Sequence, residues 1–191
     1  MKKWIKTLAA IITPVSLGTS VLAPATSAQA AEKVKLGLVG DDTRVWDNVK
    51  ERLAKDGIEL EYVKFTEYSQ PNAALADGSI DLNAFQHQIF LDSYLQEHKD
   101  QELVSIGNTV NAPLGVYSKK IKDIKDLKEG DTVAIPSDPT NGGRALRLLQ
   151  TAGLIKVDEA KGYKPTVSDI KENKLNLKIQ ELDASQTARA L

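Results

Sequence analysis

Residues 34–65 read VKLGLVGDDTRVWDNVKERLAKDGIELEYVKF, and this stretch decides the fold class. Val34, Leu36 and Leu38 alternate with Lys35 and Gly37, the period of a strand. Gly40-Asp41-Asp42-Thr43 then turns the chain into a segment whose Val45, Trp46, Val49 and Leu53 share one face at helical spacing. Gly57 stands where such a helix ends, and Leu60 to Phe65 reads as the next strand. Strand, helix and strand in that order describe a crossover between parallel neighbours.

The alternation continues toward the C-terminus. A short helix with Ser69 as N-cap, Pro71 in its first turn and Gly78 at its end precedes the apolar segment Ile80-Asp81-Leu82. The next helix is expected near Ala84 to Glu97, carrying Phe85, Ile89, Phe90, Tyr94 and Leu95. Residues 103–118 break the pattern: the run is too long for an ordinary strand of about five or six residues and is interrupted by Pro113 and Gly115. It reads as a crossing between two lobes. Beyond it the spacing predicts a short helix at Lys122 to Leu127, a strand at Thr132 to Ile135 and a helix at Gly142 to Thr151. A strand at Leu177 to Leu182 and a last helix follow, the latter opening on Asp183 with Gln186 three residues on, close to a capping box. The whole is an α/β fold with a mostly parallel sheet covered on both faces.

Upstream lies a segment of a different kind. Lys2, Lys3 and Lys6 precede an apolar stretch from Leu8, and the segment closes on Ala28-Gln29-Ala30, the small-x-small pattern of a signal-peptidase site. Pro14, Gly18 and Pro24 leave no run of about eighteen apolar residues that could span a bilayer. Residues 1–30 are therefore read as a signal peptide. Its removal takes away three lysines and no acid, leaving 22 bases against 26 acids in 161 residues and moving the net charge from −1 to −4. That balance offers no footprint for nucleic acid. With no cysteine, the exported fold must be held by its core, and a thiolate metal site and a lipidated N-terminal Cys are both excluded.

Two clusters carry chemistry. Ser137-Asp-Pro-Thr-Asn-Gly-Gly-Arg144 follows a strand and opens a helix, so the backbone N–H groups of Gly142, Gly143 and Arg144 are expected to point outward at the positive end of a helix dipole. The two glycines would permit close approach of an anion, and Arg144 adds a planar fork suited to a carboxylate. The order GxxxxGK[ST] is absent, and no GxGxxG follows a strand. The plain alternative is a capped helix with a surface Arg. The second cluster joins Tyr68 to Asn83-Ala-Phe85-Gln-His87, near the carboxyl ends of parallel strands where open α/β sheets bind ligands. Here the plain alternatives are a core Phe85 and a His87 that is hydrogen-bonded at a helix start. Neither metal-ligand spacing nor a GxSxG elbow occurs.

Tyr68 to His87, Gly107-Asn-Thr with Pro113-Leu-Gly-Val-Tyr-Ser-Lys-Lys120, Ile135 to Arg144, and Leu177-Lys-Ile-Gln-Glu-Leu-Asp183, in this order, closely resemble the MetQ/NlpA family across the mature chain. The resemblance implies a periplasmic-binding-protein type 2-like α/β fold with two parallel-rich lobes, residues 31–112 and 113–191. The second lobe would be incomplete, because relatives continue past this terminus. It also implies a non-enzymatic, exported methionine-binding protein that serves the permease of an ABC importer as a monomer, with no cofactor and no metal. Arg144, helped by Asn141, would clamp the amino-acid carboxylate, while Tyr68, Phe85 and His87 would line the side-chain pocket. Without a lipobox Cys, the protein would sit in the periplasm or at the cell surface, membrane-associated through its transporter.

A reading from another class is a non-transporting surface or partner-binding remnant with weak or no ligand binding. A periplasmic enzyme would need a catalytic constellation that these residues do not supply. The cleavage site generates a direct expectation: mass spectrometry of the exported protein should find Ala31 at its N-terminus, and a mature form beginning at Met1 or Lys2 would refute the signal assignment.

Overall fold

The computed structural model describes residues 31–191; the signal peptide read at 1–30 lies outside the described residues. Strand β1 (Glu32–Val39) is the centre of a three-stranded sheet, with β2 (Ile58–Phe65) and β3 (Leu82–Asn83) on either side and both parallel to it. Pairing runs in register from Glu32 opposite Ile58 to Val39 opposite Phe65, so the crossover predicted from residues 34–65 extends over both strands. Helix α1 (Arg44–Lys55) makes that crossover and packs Trp46 and Leu53 on buried Leu36, Leu38 and Leu60. Val45 does not join them and is 52% exposed. At 3.6 residues per turn it sits about 100° around the axis from Trp46, outside the stripe that Trp46, Val49 and Leu53 define. On the other face of β1 a Cβ at Gly37 would lie 2.5 Å from Ile80 Cδ1 and 3.1 Å from Phe65 Cε2, so these side chains cover the bare backbone directly.

Helix α2 (Gln70–Ala76) begins after Ser69 with Pro71 in its first turn and ends at Asp77-Gly78, Gly78 taking the positive φ of +78° that closes a helix. Helix α3 starts at Gln88, four residues later than the apolar spacing predicts, and runs to Glu97. The reason lies in the sheet: the Ala84 N–H donates to the Gly37 carbonyl at 3.0 Å, which continues the β3 ladder and holds the backbone extended. Residues 84–87 are thus a loop, and Phe85 lies in it rather than on the helix.

Residues 103–117 form neither strand nor helix, and among the described residues they make no backbone–backbone hydrogen bond. Val104 and Ile106 are about four-fifths exposed, at 78% and 80%. Past this segment a second layer assembles. Strand β4 (Thr132–Pro136) leads into helix α4 (Pro139–Thr151), and β7 (Lys178–Leu182) returns parallel to β4. Between them β5 (Lys156–Val157) and β6 (Ile170–Glu172) form a short antiparallel ribbon that the sequence patterns did not announce. Ile135, Ala145, Leu146, Leu149, Ile155 and Val157 make a second buried core, separate from that around Leu36.

Three other boundaries shift. The helix expected at 122–127 is a single 3-10 turn, Ile124–Asp126, capped by Asp123. Helix α4 begins at Pro139, not Gly142, because Asp138 caps it and proline's fixed φ suits the first helical position. The last element is a 3-10 helix, Ala184–Ala190, whose Asp183 cap accepts the Ser185 N–H at 2.9 Å. Gln186 does not close the box, and donates instead to Ser185 Oγ at 3.0 Å. Among the described residues no helix is long and apolar enough to cross a membrane.

Amide exchange depends on hydrogen bonding and burial, so its pattern follows from this layout. Exchange should be fast through residues 103–117 and slow at Ile135 and Leu146 to Leu149, as read by peptide-level mass spectrometry. Equal protection in the two regions would contradict the unpaired state of 103–117.

Candidate functional site

Each residue expected in the site follows the carboxyl end of a parallel strand, the edge where open α/β sheets receive ligands. Tyr68 comes three residues after β2, Phe85 and His87 occupy the loop after β3, and Asn141 and Arg144 lie in the first two turns of α4, directly after β4. Tyr68, Phe85 and Phe90 form a triangle of edge-to-face rings, with centroids 5.8 Å, 6.3 Å and 5.7 Å apart. His87 stands edge-on to Phe90 at 6.2 Å. Phe90 belongs to this wall although the sequence suggested it only as a helix residue. Its position three after His87 on a helix that His87 starts was the available signal.

The loop that presents Phe85 and His87 is held from behind. Asn72, fully buried on α2, exchanges two hydrogen bonds with the Gln86 amide, donating at 2.9 Å and accepting at 2.7 Å, and also accepts from Asn83 at 2.9 Å. Gln86 therefore faces inward between the two site residues. His87 caps α3: its Nδ1 accepts the Phe90 N–H at 3.1 Å, the hydrogen-bonded helix-start role that its sequence position suggested. An acceptor at Nδ1 leaves the ring proton on Nε2 in the neutral imidazole. That Nε2–H donates to Asn141 Oδ1 at 3.1 Å, so the β3 loop meets α4 directly.

Asn141 is the junction of the cluster. Its Oδ1 also accepts from Arg144 Nη1 at 3.0 Å, and its Nδ2 donates to both Asp138 oxygens, at 3.2 Å and 3.1 Å. Arg144 is half-buried and pairs with no carboxylate among the described residues, whereas Arg147, one turn on, is tied to Glu159 at 2.7 Å and to the Gly162 carbonyl. Of the two guanidinium groups, that of Arg147 is already paired with an acid, and that of Arg144 is bonded only to the neutral Asn141 amide among the described residues. Burial raises the Tyr68 hydroxyl above its ordinary value; the Asp138 and Asp183 charges add to the shift and Arg144 opposes it. Tyr68 on one side thus senses the charges that follow β4 and β7 on the other. A second polar tie, from Lys164 Nζ to Ser93 Oγ at 3.1 Å, joins the same two regions.

The backbone anion nest does not form as expected. The Gly142 N–H donates to the Asp138 carbonyl at 2.8 Å and the Asn141 N–H to the Asp138 carboxylate at 2.8 Å, because the helix starts three residues earlier and consumes these donors. The glycines serve packing instead of ligand approach. A Cβ at Gly142 would lie 2.7 Å from the Pro136 carbonyl oxygen, and one at Gly143 would lie 2.5 Å from that of Tyr163. Asp138 is the residue the sequence reading passed over: Asp before Pro is an ordinary N-cap pattern, and nothing in the spacing shows that its second oxygen would engage Asn141.

The model of the NlpA lipoprotein family matches residues 34–191. The chain belongs to this family. The D-methionine-binding lipoprotein MetQ of Escherichia coli (strain K12) is 48% identical over 161 residues, which cover 83% of this chain and 59% of that protein. Protein PG110 from Staphylococcus aureus shares the fold with a TM-score of 0.80 at 51% identity, covering 83% of this chain and 62% of that structure. A nutrient binding protein from Burkholderia cenocepacia, solved bound to methionine, matches with a TM-score of 0.77 at 47% identity, covering 83% and 67%. The chain spans about 60% of the length of the first curated relatives it matches.

The packing role of the glycines is testable by itself. Gly143→Ala forces a methyl group against a backbone carbonyl that has no rotamer to escape into, so it should lower stability by about 1–3 kcal/mol. Urea denaturation reads this directly, and an unchanged midpoint would show that the 163–165 segment yields freely.

Proposed function

We propose that this NlpA-family chain is an exported solute-binding protein that takes methionine, or a close relative, between two lobes at residues 31–112 and 113–191 and delivers it to the permease of an ABC importer. The observation that carries the reading is the convergence of an aromatic wall (Tyr68, Phe85) and His87 with Asn141 and an Arg144 that pairs with no acid among the described residues. A buried carboxylate requires such a guanidinium to offset its desolvation. A thioether suits the ring edges, gaining about 0.3–1.5 kcal/mol per sulfur–aromatic contact. The names of the relatives agree with this chemistry, one being methionine-binding by name and another solved with methionine bound.

The role is binding rather than catalysis, and it is carried out by a monomer without a cofactor. The protein would reside in the periplasm or at the cell surface, held at the membrane through its transporter. Closure of the lobes over the ligand would give the permease a joint surface to read. A second reading, in which the surface rather than the cleft is the working part, draws on the exposed Val104, Ile106, Val110 and Tyr117.

Titration calorimetry of the mature chain with L- and D-methionine separates the two. Binding of either enantiomer supports the cleft, and no heat with either favours the surface reading. Arg144→Ala should weaken binding by about 2–5 kcal/mol, since it leaves a buried carboxylate unpaired, and Phe85→Ala should weaken it less. Wild-type affinity in Arg144→Ala would remove that residue from the site.

A further inference from the structure

We infer that Asp138 is a positioning residue of this site, acting through the Asn141 amide to orient the Arg144 guanidinium and the His87 imidazole. The inference rests on the methionine-binding reading for its functional consequence, but its geometric content stands independently.

As a helix cap, Asp138 needs only one oxygen. Oδ1 accepts the Asn141 N–H at 2.8 Å and the Thr140 hydroxyl at 2.8 Å, and any short side chain with an acceptor could do as much. The contacts that capping does not require are those from Asn141 Nδ2 to both oxygens, at 3.2 Å and 3.1 Å. An ionised carboxylate accepts and never donates, so it turns the NH2 end of the Asn141 amide toward itself and the carbonyl end away. That carbonyl then receives Arg144 Nη1 and His87 Nε2 together. The imidazole is constrained from its other side as well, because Nδ1 already accepts from Phe90. Donors and acceptors therefore form one ordered series, fixed at one end by Asp138, which cannot donate, and at the other by the Arg144 guanidinium and the Phe90 N–H, which cannot accept. Thr140 and Asn141 are both buried, at 2% and 8% exposure, which limits substitution by water.

The interposed amide has a second effect. A direct Asp138–Arg144 ion pair would hold the guanidinium equally well but would neutralise it. Relayed through a neutral side chain, orientation is transmitted while the charge remains available for a ligand carboxylate.

Asp138→Asn is the informative variant, since Asn caps a helix about as well as Asp but can present a donor to Asn141. Two measurements on the mature chain test the inference. In imidazole ¹⁵N NMR without ligand, the wild type should show a protected His87 Nε2–H, and Asp138→Asn should lose that protection while its thermal midpoint stays near wild type. In methionine titration, Asp138→Asn should bind roughly tenfold more weakly, and should add nothing further in an Asn141→Ala background. Asp138→Ser, another capping residue that can donate, should reproduce both effects if the Asn variant folds poorly. Unchanged Nε2–H protection, or losses that add fully to those of Asn141→Ala, would overturn the inference. If no variant and no wild type binds methionine, the functional reading falls and the NMR result alone decides the positioning.

Discussion

Parallel pairing is the constraint on which the rest of this molecule depends. Because β2 and β3 both run parallel to β1, and β7 runs parallel to β4, the chain must leave each strand at the same edge of its sheet and cross back over a face. Every loop that follows such a strand consequently gathers at that edge. Tyr68, His87, Asp138 and Asp183 are distant in sequence, yet each lies at most five residues beyond the carboxyl end of its strand. The site is a product of topology first and of residue chemistry second. The described residues that are both buried and polar, Asn72, Thr140 and Asn141, all lie behind or within it.

Buried amides are costly unless satisfied, and their placement says where the fold spends its precision. The Asn72–Gln86–Asn83 network fixes a loop whose own backbone bonds lie only at its two ends, a ladder bond at Ala84 and the helix-opening bonds to the His87 carbonyl. With Gln86 bonded inward, Phe85 and His87 on either side are directed to their ring and hydrogen-bond partners. No buried side-chain polar atom among the described residues lacks a partner, so the network is complete rather than strained.

How far the sequence made this legible varies with the kind of information involved. Periodicity located the first crossover well, because β1 and α1 each bury one repeating face, and it erred only at Val45, where adjacent helical positions diverge by about 100°. It placed α3 and α4 wrongly at their starts, because local backbone events decided them: a ladder bond at Ala84 in one case and an Asp-Pro cap in the other. Residue type marked Tyr68, Phe85, His87, Asn141 and Arg144 as a set, and the fold does bring His87, Asn141 and Arg144 into one hydrogen-bonded group. What stayed hidden was relational. That Gly142 and Gly143 serve their own chain, or that Asp138 bonds an amide beyond its cap, depends on neighbours that only the tertiary structure supplies.

Among the described residues, two side-chain hydrogen bonds join residues 31–112 to residues 113–191. His87–Asn141 and Ser93–Lys164 are single hydrogen bonds, each worth about 0.5–1.5 kcal/mol net in water. Together they can bias a two-state equilibrium but cannot lock it, since moving a population from mostly one state to mostly the other takes about 5.5 kcal/mol of differential binding. On the proposed reading, that difference must come from the ligand. A carboxylate that reaches Arg144 only when the aromatic wall closes over the other end of the same molecule contributes more to the closed state than to the open one. Specificity and closure would then have one cause, because a ligand too short to touch both walls gains neither.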